Sequence, residues 1–128
     1  MEHKELTEKI IGCAYRGYNR MGYGFLESVY QKCMMVELRR AGLRAESEQG
    51  IVVQYGGEIV GEFAADILVE DTVIVELKSV TEIAKGHEVQ LVNYLVATGK
   101  PVGLLLNFGP RNVDVRRKVK ELPSEADL

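Results

Sequence analysis

The sequence predicts an α/β domain of the α+β kind, a mixed central β-sheet flanked by helices, and three observations carry that expectation. Two helix-period segments come first, then a run of strand-like segments, then a helix followed by two more strands. The stretch VGLLLNF is almost wholly apolar, as strands are when both faces are covered. No internal repeat or low-complexity block divides the chain, and 128 residues that are 46% hydrophobic suffice for one core without disulfide or metal staples.

From Glu5 to about Tyr18, the apolar residues Leu6, Ile10, Ile11, Ala14, Tyr15 and Tyr18 recur at helical spacing. The stretch NRMGYG interrupts that period. FLESVYQKCMMVELRRAG resumes it up to Gly42, with Arg39 and Arg40 in the last turn. The texture then becomes that of strands: LRAESE, IVVQY, the turn pair Gly56-Gly57, EIVGEFAADILVE, a short polar link, and VIVELK, together an antiparallel meander. A third helix is expected from about Lys85 to Thr98, ending at Gly99. VGLLLNF and a last strand around NVDVRRKV complete the sheet. Residues 1–120 are expected to form a single domain, and 121–128, polar and proline-containing, a flexible tail.

The formal net charge of -3 argues against coating nucleic acid by bulk attraction. Cys13 and Cys33 show no metal or redox spacing and read as buried reduced thiols. The charged MEHKELTEK start lacks the apolar core of a signal peptide, and no apolar run approaches a membrane span. A cytoplasmic protein with no membrane partner is the expectation.

Chemistry concentrates in VIVELK. If Glu70, Asp71 and Thr72 form a three-residue loop, Val69 pairs with Val73, Asp66 lies opposite Glu76, and Lys78 shares their face. A two-residue loop would shift the register and separate the acids. Two carboxylates across a strand pair repel unless a cation lies between them, and hard oxygen donors select Mg²⁺ or Mn²⁺. Lys78 is then placed to orient an attacking water and offset charge on phosphorus. The alternative is a solvated face carrying weak surface pairs. E-x-K alone means little, since Glu2-His3-Lys4 also matches it.

The D-x(n)-E-x-K pattern on a hairpin resembles the PD-(D/E)XK nuclease superfamily, with Ala65 where the often degenerate proline would stand. GFLESVY, giving Gly24, Glu27 and Tyr30, resembles the signature of the small bacterial GxxExxY family, and the likeness runs from about Ile10 to Phe108. It implies a restriction-endonuclease-like core and a metal site in which Glu27, from the first core helix, joins Asp66 and Glu76. Without the resemblance, Glu27 is equally a first-turn glutamate favoured by the helix dipole. In HEVQLVNYL, Gln90 and Tyr94 resemble the Q-x-x-x-Y motif of the recombination-associated exonuclease branch, which implies contact with nucleic acid or with the lysine. The bland reading makes Tyr94 a core-boundary residue. His87, on the same stripe, is either a general acid for the departing oxygen or a helix-start histidine. Gly22 and Gly24 serve a phosphate or simply a tight loop. Arg111, Arg116, Arg117, Lys118 and Lys120 follow a nucleic-acid backbone or protect a strand edge.

Three functions remain open on sequence. The first is a Mg²⁺- or Mn²⁺-dependent nuclease acting on nucleic acid, with DNA favoured over RNA. The second is a catalytically inactive nucleic-acid- or protein-binding module of the same fold. The third is a homodimer, or larger homo-oligomer, held by Tyr15, Tyr18 and Met21 of the first helix.

Overall fold

The computed structural model describes residues 3–120, so the expected tail, 121–128, lies outside the described residues. The order is α1 (Lys4–Met21), α2 (Glu27–Arg40), β1 (Ala45–Tyr55), β2 (Glu58–Val69), β3 (Val73–Lys78), α3 (Lys85–Thr98), β4 (Val102–Phe108) and β5 (Val113–Val119). The five strands form one sheet in sequence order. Pairing is antiparallel except between β3 and β4, which run parallel because α3 carries the chain back across the sheet. The mixed sheet flanked by helices is therefore as expected. The segments LRAESE and IVVQY, read as successive pieces, are one continuous strand beginning at Ala45, and α1 runs on to Met21.

Side-chain alternation divides the interior into two cores. Val73, Val75 and Leu77 of β3 join Ile67, Val69, Leu104 and Leu106 beneath α1 and α2, whereas Ile74 and Leu105 pack with Leu91 and Leu95 of α3. Every residue of β4 is buried, as its apolar sequence demands of a strand covered on both faces. Burying each such leucine contributes about 1.5–3 kcal/mol. Tyr30 lies flat on Phe108 with ring centroids 4.3 Å apart and donates its hydroxyl to the Gly22 carbonyl, which fixes the α1–α2 loop. Tyr15 and Tyr18 of α1 reach across to donate to the Val113 and Gly109 carbonyls. Cys13 is buried, Cys33 half-buried, and both are free thiols. Among the described residues no helix is long and apolar enough to cross a membrane.

The β1–β2 connection is the expected Gly56-Gly57 turn, whose φ values of 61° and 82° are open to glycine at little cost. In the β2–β3 connection, Glu70 and Asp71 also take positive φ, 51° and 52°, and the Thr72 N–H closes the turn on the Val69 carbonyl at 2.9 Å. Val69 pairs with Val73, so the three-residue loop sets the register anticipated from sequence.

The close approach of α3 to the sheet yields a stability test. A Cβ at Gly103 would lie 2.7 Å from Leu91 Cδ1 and 3.0 Å from Leu91 Cγ, and Leu91 is fully buried. Gly103→Ala is expected to destabilise the fold by about 1–3 kcal/mol, read as a lower urea midpoint.

Candidate active site

The β2–β3 ladder runs from Val69↔Val73 to Ile67↔Val75, and the two strands part immediately beyond it. There Asp66 Oδ2 accepts the Leu77 N–H at 2.7 Å, so a carboxylate occupies the place of a backbone carbonyl. The Asp66 carbonyl accepts from Gln31 Nε2 of α2 at 2.9 Å, and the same nitrogen reaches Glu48 Oε1 at 2.9 Å. Asp66 is thus held from two sides.

On the other side of β2, the pairing with β1 is interrupted on the same row. Ser47 pairs with Ile67 and Gln49 with Ala65, which leaves Glu48 opposite Asp66 and out of the pairing, at φ 53°. On either side of this row the strand faces exchange: Ile67 and Val69 pack under α1 and α2, whereas Ala65, two residues earlier, packs with Ile51, Leu91 and Tyr94 on the α3 side. The outer half of the β1–β2 arm therefore curls over α3. A cleft of about 1000 Å³ opens between that arm and the helix, with Phe63, Gln90, Asn93 and Tyr94 on its walls.

Glu76 shares the α3 face of β3 with Lys78, two residues on, and is only partly exposed. Burial pushes its carboxyl up to about 9; the Asp66 charge and a side-chain hydrogen bond with Asp66 add to the rise, and the Asp66 backbone and the Lys78 charge oppose it. Its Oε1 is buried without a hydrogen-bond partner among the described residues. Tyr94 titrates above the ordinary phenol range, first through burial and then through the charges of Glu76 and Asp66, and it packs in one cluster with Ala65 and Ile74, one residue before Asp66 and two before Glu76. The structure thus brings together Asp66, Glu76, Lys78 and Tyr94.

The other candidates stand further out. Glu27 is exposed at the first residue of α2, one turn from Gln31 and beside Ser79, whose hydroxyl donates to the Phe25 carbonyl at 2.8 Å. Among the described residues no three His, Cys, Asp or Glu side chains converge as a metal-binding group, so Glu27 lies at the rim and outside the Asp66–Glu76 contact. His87 Nδ1 accepts the Ala84 N–H at 3.1 Å, a cap on the start of α3. Gln90 is exposed on the cleft wall one turn before Tyr94. In the basic cluster, Arg116 pairs with Asp114 at 2.6 Å and with Glu88 at 3.8 Å, and Lys118 pairs with Glu88 at 2.9 Å.

Two supporting residues escaped the sequence reading. Asn107, 2% exposed, lies beside Lys78 in the β3–β4 register. Its amide takes the Val80 N–H at 2.9 Å and donates to the Val80 carbonyl at 2.8 Å, which fixes the chain just after Lys78. As the one polar side chain in an apolar strand it carried a legible signal. Gln31 carried a weaker one, its position one turn after Glu27.

A mixed five-stranded sheet with helices on both faces, presenting an Asp, a Glu and a Lys from adjacent strands, is a restriction-endonuclease-like core. The profile of the PD-(D/E)XK nuclease superfamily matches residues 4–119, and the chain belongs to that superfamily. No curated protein matches it. Among solved structures, the chain resembles the one titled "Crystal structure of SSO0001", with a TM-score of 0.60 and 19% identity over 94% of this chain and 60% of that one. That likeness is one of fold, and this chain spans 60% of the other's length.

The raised Glu76 has a consequence for folding. Its pKa rises from 4.5 to about 9 on folding, so its contribution to stability is complete below the unfolded value and is lost as pH climbs toward the folded one. In metal-free buffer, wild type is expected to lose stability to urea between about pH 5 and pH 9. Glu76→Gln, which cannot ionise, should lose distinctly less over the same interval. Parallel curves for the two proteins would show that Glu76 is ionised throughout.

Proposed function

We propose that this chain is a metal-dependent nuclease of the GxxExxY branch, on the strength of Gly24, Glu27 and Tyr30, hydrolysing phosphodiester bonds of nucleic acid. The observation that carries the reading is the Asp66–Glu76 contact: two carboxyl groups from neighbouring strands, one with a buried oxygen that has no hydrogen-bond partner among the described residues, beside a lysine. Such a donor set suits Mg²⁺ or Mn²⁺, since Mg²⁺ needs only one or two carboxylates and fills its remaining positions with water and substrate oxygens. When bound, the cation would supply charge stabilisation for the scissile phosphate and a more acidic water.

Asp66 and Glu76 provide the oxygen donors. Asp66 is oriented for that task by the Leu77 N–H, and its backbone is steadied by Gln31. Lys78, on the same face as Glu76 and followed by the segment that Asn107 clamps, orients the attacking water or meets a phosphate oxygen through its ammonium. Glu27, at the rim on the same helix as Gln31, is assigned to contacts made when substrate is present. Gln90 and Tyr94 line the adjoining cleft and contact substrate. His87 is assigned a capping role. The restriction-endonuclease-like core favours DNA over RNA. A second reading, a binding module without activity, draws on the lack of a third acidic ligand beside Asp66 and Glu76 among the described residues.

Thermal denaturation with and without Mg²⁺ or Mn²⁺, paired with cleavage assays on mixed single- and double-stranded substrates, decides between them. The cation is expected to raise the Tm of wild type and not of Asp66→Ala or Glu76→Ala. Either substitution should reduce cleavage by about 10²-fold or more. Absence of both the cation response and cleavage in wild type would leave the binding-module reading.

A further inference from the structure

The cleft beside the acid pair differs in character from the rest of the surface. Although the chain carries 16 Lys and Arg and 19 Asp and Glu, among the described residues no charged side chain lines it. Its walls offer the half-exposed Phe63 ring, the side-chain amides of Gln54, Gln90 and Asn93, and apolar flanks such as Val89. Tyr94 also lines it, with its ring centroid 5.5 Å from that of Phe63, and packs in one cluster with Ala65 and Ile74, one residue before Asp66 and two before Glu76.

A wall without cations is a poor partner for a phosphate backbone, whose capture depends on Lys and Arg. It is a good partner for a nucleobase. Phe63, 46% exposed, offers a π-face on which any base can stack, and each amide carries both a donor and an acceptor for a base edge. In a duplex those faces and edges are already occupied, and extracting a base costs several kcal/mol; in a single strand they are free. The net charge of -3 and the neutral cleft also give a duplex little to hold.

We propose that this cleft is a base-binding subsite, in which an unstacked base of single-stranded nucleic acid stacks on Phe63 and hydrogen-bonds to Gln54, Gln90 and Asn93. The strand is thereby registered against Asp66 and Glu76. This rests on the nuclease reading for its purpose, since the base site stands next to the acids assigned to cleavage. The substrate class is accordingly single-stranded, or a duplex region with an unpaired end.

The test is fluorescence anisotropy of the full chain in Ca²⁺ with three labelled probes of equal length: a single strand, the same strand annealed to its complement, and a single strand with every base removed. The single strand is expected to bind about tenfold or more tightly than either of the others. Phe63→Leu, which keeps apolar bulk but has no π-face, should lose about tenfold in single-strand affinity while retaining the wild-type Tm and the Tm response to Mn²⁺. Equal affinity for the base-free probe, preference for the duplex, undiminished binding by Phe63→Leu, or no binding of any probe would each overturn the proposal; the last would leave the cleft to a protein partner. The nuclease reading is judged separately, by the cation response and cleavage. The two outcomes are independent: cation response and cleavage can hold while base selectivity fails, or fail while it holds.

Discussion

Two carboxyl groups, Asp66 and Glu76, are pressed together where β2 and β3 cease to pair, and the surrounding structure keeps them from separating. Like charges so placed would be relieved if either strand peeled away. Ile67, Val75 and Leu77, immediate sequence neighbours of the acids, prevent this because each is at most 1% exposed in the core beneath α1 and α2. Asp66 adds a tie of its own by accepting the Leu77 N–H. With the backbone fixed, the conflict is expressed in protonation, and Glu76 holds its proton far above the usual carboxylate range. A buried oxygen without a partner and a carboxyl that resists ionising are what a cation would relieve, so the fold itself creates the demand that the proposed metal satisfies.

The same row of the sheet shapes the substrate side. Glu48 takes a left-handed conformation opposite Asp66, and the inward and outward faces of β1 and β2 exchange across that row. One local irregularity therefore has two consequences. It frees the Asp66 carbonyl for Gln31, and it bends the outer arm over α3, so that Phe63 meets Tyr94. The β2–β3 loop sets the acid pair and the bend sets the cleft, and the two adjoin because both fall on the row of Asp66.

Much of this was legible in the sequence, for identifiable reasons. VGLLLNF could be nothing but a strand covered twice, and α3 announced both its ends through its period and Gly99. The hairpin register followed from a loop count, because alternation makes a one-residue slip costly wherever faces are buried. What escaped notice depends on contacts between elements distant in sequence. Gln31 meets Asp66 from 35 residues away, and Asn107 grips Val80 across 27. No periodicity encodes such meetings. Glu27 illustrates the converse: whether a side chain at the first helical position reaches the acids depends on how α2 sits on the sheet, which pattern alone does not fix, and Glu27 is exposed at the rim.

The distribution of charge makes the last step. A basic row on β5 looked available for a phosphate backbone, but Arg116 and Lys118 are engaged by Glu88 of α3, and Arg116 also by Asp114. These pairs lie at the α3–β5 contact and hold the helix against the sheet edge, a structural use that lowers their value as a docking strip. With two cations of that row so committed and the cleft wall uncharged, long-range attraction is a weak source of grip for this chain. On the proposed reading, binding would instead come from contacts at short range: stacking and amide hydrogen bonds in the cleft, and the Lys78 ammonium beside the acid pair. On that reading, such contacts would reward a strand whose bases are exposed and would place the scissile bond by the base next to it, not by the shape of a double helix.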